Sequence, residues 1–305
     1  MWVWDAPTGV YRDHALSSNI RRQAIADTQF MKFLRPESGF GKGKGQSITI
    51  TRVMQLPLAG RVSELDRLPN ARPAINTKSL TVSEWGFKIE MTEFEKNLSF
   101  YDLSNQFQQL LRDQIQLTMD VMGADALKLT PIKYTPTSTG GVIATNGSAG
   151  GTADVNLSIA DLRAIHDELR GLKAPYFRGG KYVGILGTRA ARGIKNDPEY
   201  KDWLAPTTSE PFVAGMLKSI EGFDLYETNN AYSLADLVGS STVCGEGVFF
   251  GADAGFLAVV ENPELRAGIP EDLGRFREVG WVGTLEAGLT WEIASAARAV
   301  HVTSN

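Results

Sequence analysis

Three consecutive runs decide the fold: Gln46-Ser-Ile-Thr-Ile-Thr-Arg-Val-Met54, then Gln55-Leu-Pro-Leu-Ala-Gly-Arg-Val-Ser-Glu-Leu-Asp-Arg-Leu-Pro-Asn-Ala-Arg-Pro-Ala74 continuing to Ser79, then Leu80-Thr-Val-Ser-Glu-Trp-Gly-Phe-Lys-Ile-Glu-Met91. The outer two read as strands. The middle one holds three prolines and scattered aliphatics, with neither a helical nor a strand period. A two-stranded ribbon by itself is marginal in water, and a structureless loop this long is unusual inside one compact domain. The physical resolution is that the excursion leaves its own subunit and lies on a neighbour. The chain therefore reads as one built to be tiled.

Working outward, the third run alternates Trp85, Phe87, Ile89 and Met91 with Gly86, Lys88 and Glu90, which gives one apolar face. The first run, with Ile48, Ile50 and Met54 on one side, is its expected antiparallel partner. The charges of the excursion and its flanks, Arg52, Arg61, Glu64, Asp66, Arg67, Arg72 and Lys78, are the candidate intersubunit residues. At the tip they would select register more than affinity. A long helix is expected over residues 103–129. Leu103, Phe107, Leu110, Leu111, Ile115, Thr118, Met119, Met122, Ala126 and Leu129 recur in steps of three and four. Asp102 or Ser104 caps its start and Pro131 closes it. Phe107, Leu111 and Ile115 form its expected buried face. At 1.5 Å per residue such a helix is roughly 39 Å long, a structural strut.

Ahead of the ribbon, residues 1–45 read as an arm. Ile20, Ala24, Thr28, Met31 and Leu34 have near-helical spacing, Pro36 ends any helix, and Gly39-Phe-Gly-Lys-Gly-Lys-Gly45 is a hinge. The arm carries seven Lys/Arg against four Asp/Glu, so it is +3 while the other 260 residues are −7. Arg21, Arg22 and Lys32 lie around the near-helical spacing. Behind the long helix, residues 134–153 are uncharged and rich in Thr, Gly and Ser, and read as a linker. A new α/β unit follows over 154–244. Ser158 and Asp161 begin a helix with a Leu157–Leu162 staple, and Leu162, Ile165, Leu169 and Leu172 form its buried stripe. Strands are expected at 182–186 and 223–227. A short helix is expected after the Thr188 cap, another from Pro198 to near Leu204, and a third over 210–219. Beyond Cys244 the chain is strand-rich at 248–250, 256–261, 276–282 and 289–302. No internal repeat is visible.

Composition bounds the function. With 305 residues, 43% hydrophobic and 22% charged, the chain is an ordinary globular one able to bury a sizeable core. A net charge of −4 argues against a general nucleic-acid binder. One cysteine, Cys244, rules out an internal disulfide framework and fits a reducing compartment. There is no run of about 18 apolar residues and no secretory leader pattern, so no membrane span is expected.

Chemical motifs are weak throughout. The Gly41-Lys-Gly-Lys-Gly45 cluster lacks P-loop spacing and no helix follows it. His14, His166 and His301 have no second His or Cys at ligand spacing, so no metal is expected. A Ser-His-Asp triad is not excluded by order, but there is no Gly-x-Ser-x-Gly elbow. His166 sits beside the Leu162 stripe and reads as structural, and Cys244 reads as inert packing. Glu90, Glu93, Glu95, Glu261 and Glu264 have basic neighbours and read as solvated faces. No cofactor and no catalytic residue is expected.

The order of parts resembles the major capsid protein of tailed bacteriophages, with the Hong Kong 97-type fold, and is similar to the coat-protein family named after phage N4. The resemblance is carried by Gly43-Lys-Gly-Gln-Ser-Ile-Thr-Ile-Thr-Arg-Val53, by Thr81-Val-Ser-Glu-Trp-Gly-Phe-Lys-Ile-Glu-Met-Thr92, by the helix over 103–129, and by Gly280-Trp-Val-Gly-Thr284 with 289–297. It implies an α+β fold with an N-terminal arm (1–45), an extended loop made as a two-stranded ribbon (46–92) and an axial α/β domain (154–244). A peripheral domain (93–133 with 245–305) would contain the spine helix. It also implies assembly of copies as hexamers and pentamers into an icosahedral shell around double-stranded DNA, in a virion assembled in a bacterial host's cytoplasm, with the basic arm, and Arg21, Arg22 and Lys32 on it as candidate DNA-facing residues, turned to the packaged DNA or to the neighbouring spine. A portal and a decoration protein are further implied partners. No long acidic helical segment is visible ahead of the arm, which implies a separate scaffolding protein, or prior removal of a fused one. Some relatives cross-link a lysine to an asparagine. Lys78 does not match that motif, and no cross-link is expected. Two alternatives stand beside this reading: a non-viral, encapsulin-like compartment of the same fold, and a cytosolic α/β enzyme.

Overall fold

The computed structural model describes residues 23–37, 40–62, 64, 67–68, 70–99, 103–200, 219–240 and 243–305. Its strands are β1 (Arg35–Pro36), β2 (Ser47–Val53), β3 (Ile75–Thr81), β4 (Ser83–Thr92), β5 (Lys133–Thr135), β6 (Val142–Ala144), β7 (Tyr182–Gly187), β8 (Ser219–Ile220), β9 (Phe223–Thr228), β10 (Gly247–Phe250), β11 (Gly255–Ala267), β12 (Phe276–Leu289) and β13 (Ala299–Val302). Its α-helices are α1 (Glu93–Leu98), α2 (Leu103–Lys128), α3 (Ile159–Gly171) and α4 (Thr188–Asn196). The strands form a ribbon, a four-stranded sheet ordered β1-β11-β12-β4, and a seven-stranded sheet ordered β6-β5-β13-β10-β7-β9-β8.

The ribbon corrects the expected pairing. β2 pairs antiparallel with β3, from Ser47 opposite Thr81 to Val53 opposite Ile75. Its partner therefore lies inside the run expected to be structureless. The outer run, β4, turns away at Val82 and pairs with β12 instead, Trp85 opposite Gly283 and Met91 opposite Arg277. The ribbon thus ends at Thr81 and does not extend through residue 92. The reason is local: Val82 is buried, and its N–H donates to the Gln46 carbonyl at 3.0 Å, which closes the ribbon's base.

β11 and β12 are longer than expected. Their ladder shifts register between Val259 and Glu261 and again between Glu261 and Glu264. The Asn262-Pro263 pair is a bulge within a strand, where proline's missing N–H is tolerated. Gly283 lies against that bulge, and a β-carbon there would meet Pro263 at 3.0 Å. α2 lies across this sheet with Leu111, Trp281 and Leu285 buried. Trp281 Nε1 donates to Gln114 Oε1 at 3.2 Å.

The seven-stranded sheet is buried on both faces, so its central strands are continuous apolar runs. Tyr182, Leu186, Phe249, Val300 and Val302 face a core with α3 and α4. Val183, Ile185, Val248, Phe250 and Ala299 face a second core with α2. α3 has the expected capping box, Ser158 and Asp161 each bonding the other's backbone. For α4 the cap is Gly187, with no side-chain cap bond, and Thr188 is the first helical residue. Thr188 Oγ1 instead lies 3.5 Å from the Thr228 carbonyl.

This sheet redraws the expected division of the chain. β10 and β13, assigned by sequence to a peripheral unit, flank one another beside β7. β5 and β6, in and beside the expected linker, extend the same sheet. The run 289–302 is not one strand, since a 3-10 turn at Ala294–Ala296 precedes β13. In the arm, residues 23–29 are irregular and only Phe30–Lys32 is helical, as a 3-10 turn, so the expected arm helix is absent there. Phe30 and Leu34 are buried in the α2-side core, and β1 adds to β11 in parallel. The helices expected over 198–204 and 210–219 fall mostly outside the described residues, as does the Asp102 cap.

Candidate interaction surface

The ribbon has two chemically different faces. Ile48, Ile50 and Arg52 on β2 turn toward the subunit with Asn76, Lys78 and Leu80 on β3, all less exposed than their neighbours. The opposite face stacks Ser47 on Thr81, Thr49 on Ser79, Thr51 on Thr77 and Val53 on Ile75, all exposed. Thr49 and Ser79 hydroxyls are 3.0 Å apart.

The ribbon's root is tied to its own subunit. Arg52 is 6% exposed and donates through Nη1 to the Thr290 carbonyl at 2.8 Å. Lys78 forms an ion pair with Glu292. Lys173 Nζ donates to Gln55 Oε1 at 2.8 Å. Arg52 and Lys78 were expected to face a neighbour, and both correct that expectation. Their partners lie more than 200 positions away, which no local spacing reveals.

Between Met54 and Ile75 the described residues form no helix or strand. Arg61, Glu64, Arg67 and Arg72 are all exposed there, and Asp66 lies outside the described residues. The same segment leaves Leu56, Leu58, Val62 and Leu68 uncovered, Leu58 at 95% and Leu68 at 80%. Several large apolar side chains left uncovered along one short segment make it a candidate interaction surface. With Val53 and Ile75, both exposed, it continues onto the outward face of the ribbon.

The other expected residues separate. On the spine helix Leu111 is 1% exposed, but Phe107 and Ile115 are only half-buried. Lys32 is exposed, with Nζ 3.0 Å from Gln29 Oε1. Arg21, Arg22 and His14 lie outside the described residues. His166 stacks edge-on against Tyr182 and Phe223 at 5.6 and 5.9 Å. Cys244 is buried and its thiol donates to the Gly245 carbonyl at 3.2 Å. Burial pushes that thiol up to about 11, so almost none is thiolate at neutral pH.

One group of side chains escaped the sequence reading. His301, in β13, is buried beside Lys128 at the end of α2, Lys133 at the start of β5 and Glu246 just before β10. A groove of about 540 Å³ lies where β4 runs beside β12 and is open to solvent. Gly86 and Gly280 lie along it, with Phe87, Trp281 and the Lys88–Glu278 ion pair at 2.5 Å. Among the described residues lining it there is no histidine, cysteine or hydroxyl nucleophile. No helix among the described residues is long and apolar enough to cross a membrane.

This architecture is shared with solved bacteriophage capsids. The chain aligns with a chain of the cyanophage Pam1 capsid asymmetric unit at a TM-score of 0.75 and 14% identity, covering 100% of this chain and 99% of that one. With the capsid of cyanophage P-SCSP1u the TM-score is 0.69 at 10% identity, covering 100% and 97%. With the acid-stable capsid of Helicobacter pylori bacteriophage KHP30 it is 0.67 at 13% identity, covering 98% and 97%. No protein-family model matches the sequence, and no curated protein matches it. The fold is α+β, of the Hong Kong 97 capsid type, over the whole chain.

Proposed function

We propose that this chain is the major capsid protein of a tailed bacteriophage, a structural and not a catalytic molecule. Copies associate through heterologous contacts that close into rings, as hexamers and pentamers, and the rings build an icosahedral shell around double-stranded DNA. The shell is assembled in the host cytoplasm with a separate scaffolding protein and a portal, and a decoration protein binds it from outside. DNA contact is nonspecific and salt-sensitive, because only the arm is basic. One observation carries the reading. Residues 54–74 hold exposed leucines, and their described residues form no helix or strand, within a chain that otherwise buries two cores and aligns with capsid chains from end to end.

Electron microscopy and sedimentation of the expressed protein test this. Closed shells are the expected product, alone or with the scaffold supplied. Replacing residues 55–73 with Asn-Gly, a two-residue turn suited to the twist of a ribbon, leaves a folded subunit that makes no closed particle. A product no larger than a small oligomer under every condition overturns the shell reading. Normal shells from the deletion variant remove the loop from the interface.

A further inference from the structure

Where the spine helix ends, charged side chains from separate elements converge beneath the surface. Lys128 closes α2, Lys133 opens β5, Glu246 precedes β10, and His301 lies in β13. His301 is 5% exposed. Its Nδ1 lies 3.0 Å from Lys133 Nζ, which also donates to the Lys128 carbonyl at 2.5 Å. Its Nε2 is buried, makes no hydrogen bond among the described residues, and lies 3.4 Å from Glu246 Oε1. Glu246 Oε2 accepts the Ala235 N–H at 2.8 Å and lies 3.2 Å from Lys128 Nζ. Asp125, one turn back on α2, is 4.0 Å from Lys128 Nζ.

An ammonium has donors and no acceptor, so the Lys133 contact requires a bare lone pair on His301 Nδ1. The imidazole proton then sits on Nε2, facing Glu246. Lys133 and His301 share one excess proton across a 3.0 Å contact. A second proton would set two donors and two positive charges face to face in a site with little water to screen them.

We propose that His301 is an acid-operated latch. While the pair holds one proton it ties the start of β5 to the end of the spine helix and to β13, and a second proton ejects Lys133 and loosens that junction. Burial, with Lys133 and Lys128 adding to it, holds His301 below the usual histidine range, and Glu246 offsets this only in part. The sign follows. A histidine depressed in the closed state contributes full stability above its ordinary pKa of about 6.5, and that stability is lost as pH falls below it. For one proton the loss approaches tenfold per pH unit, so closure weakens about tenfold between pH 7.5 and 5.5. The latch belongs to the single subunit and holds whether or not shells form.

Hydrogen–deuterium exchange of the full chain, corrected for intrinsic rates, tests it over residues 128–135 and 299–303. In the native protein, protection there falls about tenfold from pH 7.5 to 5.5. His301→Gln keeps one acceptor and one donor without a titrating group, and its protection stays flat. Lys133→Met removes the opposing donor, so its acid midpoint moves up toward that of a free histidine. Unchanged protection in the native protein, an equal acid loss in His301→Gln, or an unmoved midpoint in Lys133→Met would each overturn the latch.

Discussion

Asp120, buried on the spine helix, accepts the backbone N–H of Phe30 at 2.9 Å. The same oxygen accepts the Gln29 N–H at 2.7 Å, and the other oxygen accepts Asn230 Nδ2 at 3.0 Å. One carboxylate therefore fixes the point where the arm enters the subunit and where the loop after β9 meets α2. Phe30 fills the core beside it, and Gly123 leaves room: a β-carbon there would meet the Phe30 and Leu34 side chains at 3.1 Å.

Asp120→Ala strips two backbone amides and one side-chain amide of their acceptor in a buried site. We expect a loss of about 2–4 kcal/mol, since hydrogen bonds to a charged group are the stronger kind and orphaned donors are costly. Chemical denaturation of the soluble subunit measures it. A midpoint unchanged from the native protein would mean that the arm is held elsewhere.

Leu111→Asp places a charge without a partner between α2 and the four-stranded sheet. Loss of more than about 4 kcal/mol is expected, seen as insoluble protein. Phe107→Ala and Ile115→Ala, at half-buried positions, cost less than truncating Leu111 in the same thermal melt.

Leu58→Ser with Leu68→Ser changes only exposed side chains of the outlying segment. The free subunit's stability stays within about 0.5 kcal/mol of native. Particle yield by light scattering falls, because the apolar surface offered to a neighbour is smaller. A drop in subunit stability with normal particle yield would reverse the assignment of this surface.

Glu246 predicts a second acid window, below that of His301. Burial pushes its carboxyl up, but His301, the Ala235 N–H and Lys128 more than reverse this and hold it at about 2. A carboxylate depressed in the folded state contributes stability above its ordinary value of about 4.5, and that contribution disappears as pH falls toward 2. It amounts to up to about 3 kcal/mol. Glu246→Gln is less stable at neutral pH and shows a shallower decline in melting temperature below pH 4.5.

Cys244 should resist alkylation by iodoacetamide at pH 8 in the folded subunit and react fully once unfolded, as its burial and raised pKa require. Rapid labelling of native protein would show that this thiol is open to solvent.

The sequence by itself determined what depends on near neighbours in the chain. Steps of three and four between Phe107 and Ala126 specify α2 because helical faces repeat locally. Ser158 and Asp161 specify the start of α3 because a capping box spans one turn. The uncovered leucines at 56, 58 and 68 were legible as a run with no period, hence with no core of its own. Tertiary structure decided what depends on distant partners. Ile75-Asn-Thr-Lys-Ser-Leu-Thr81 is too polar to announce a strand, and only the base contact of Val82 with Gln46 and the ladder to β2 make it one. β4 went to β12, almost 200 residues on, where Met91 is buried and Trp85 packs against the α2-side core while Phe87 stays exposed. Arg52 and Lys78 were drawn inward by Thr290 and Glu292, and Lys133, Glu246 and His301 met only when β5, β10 and β13 joined one sheet. A buried charge is tolerated only beside its partner, and that partner is supplied by the fold, whatever the separation along the chain.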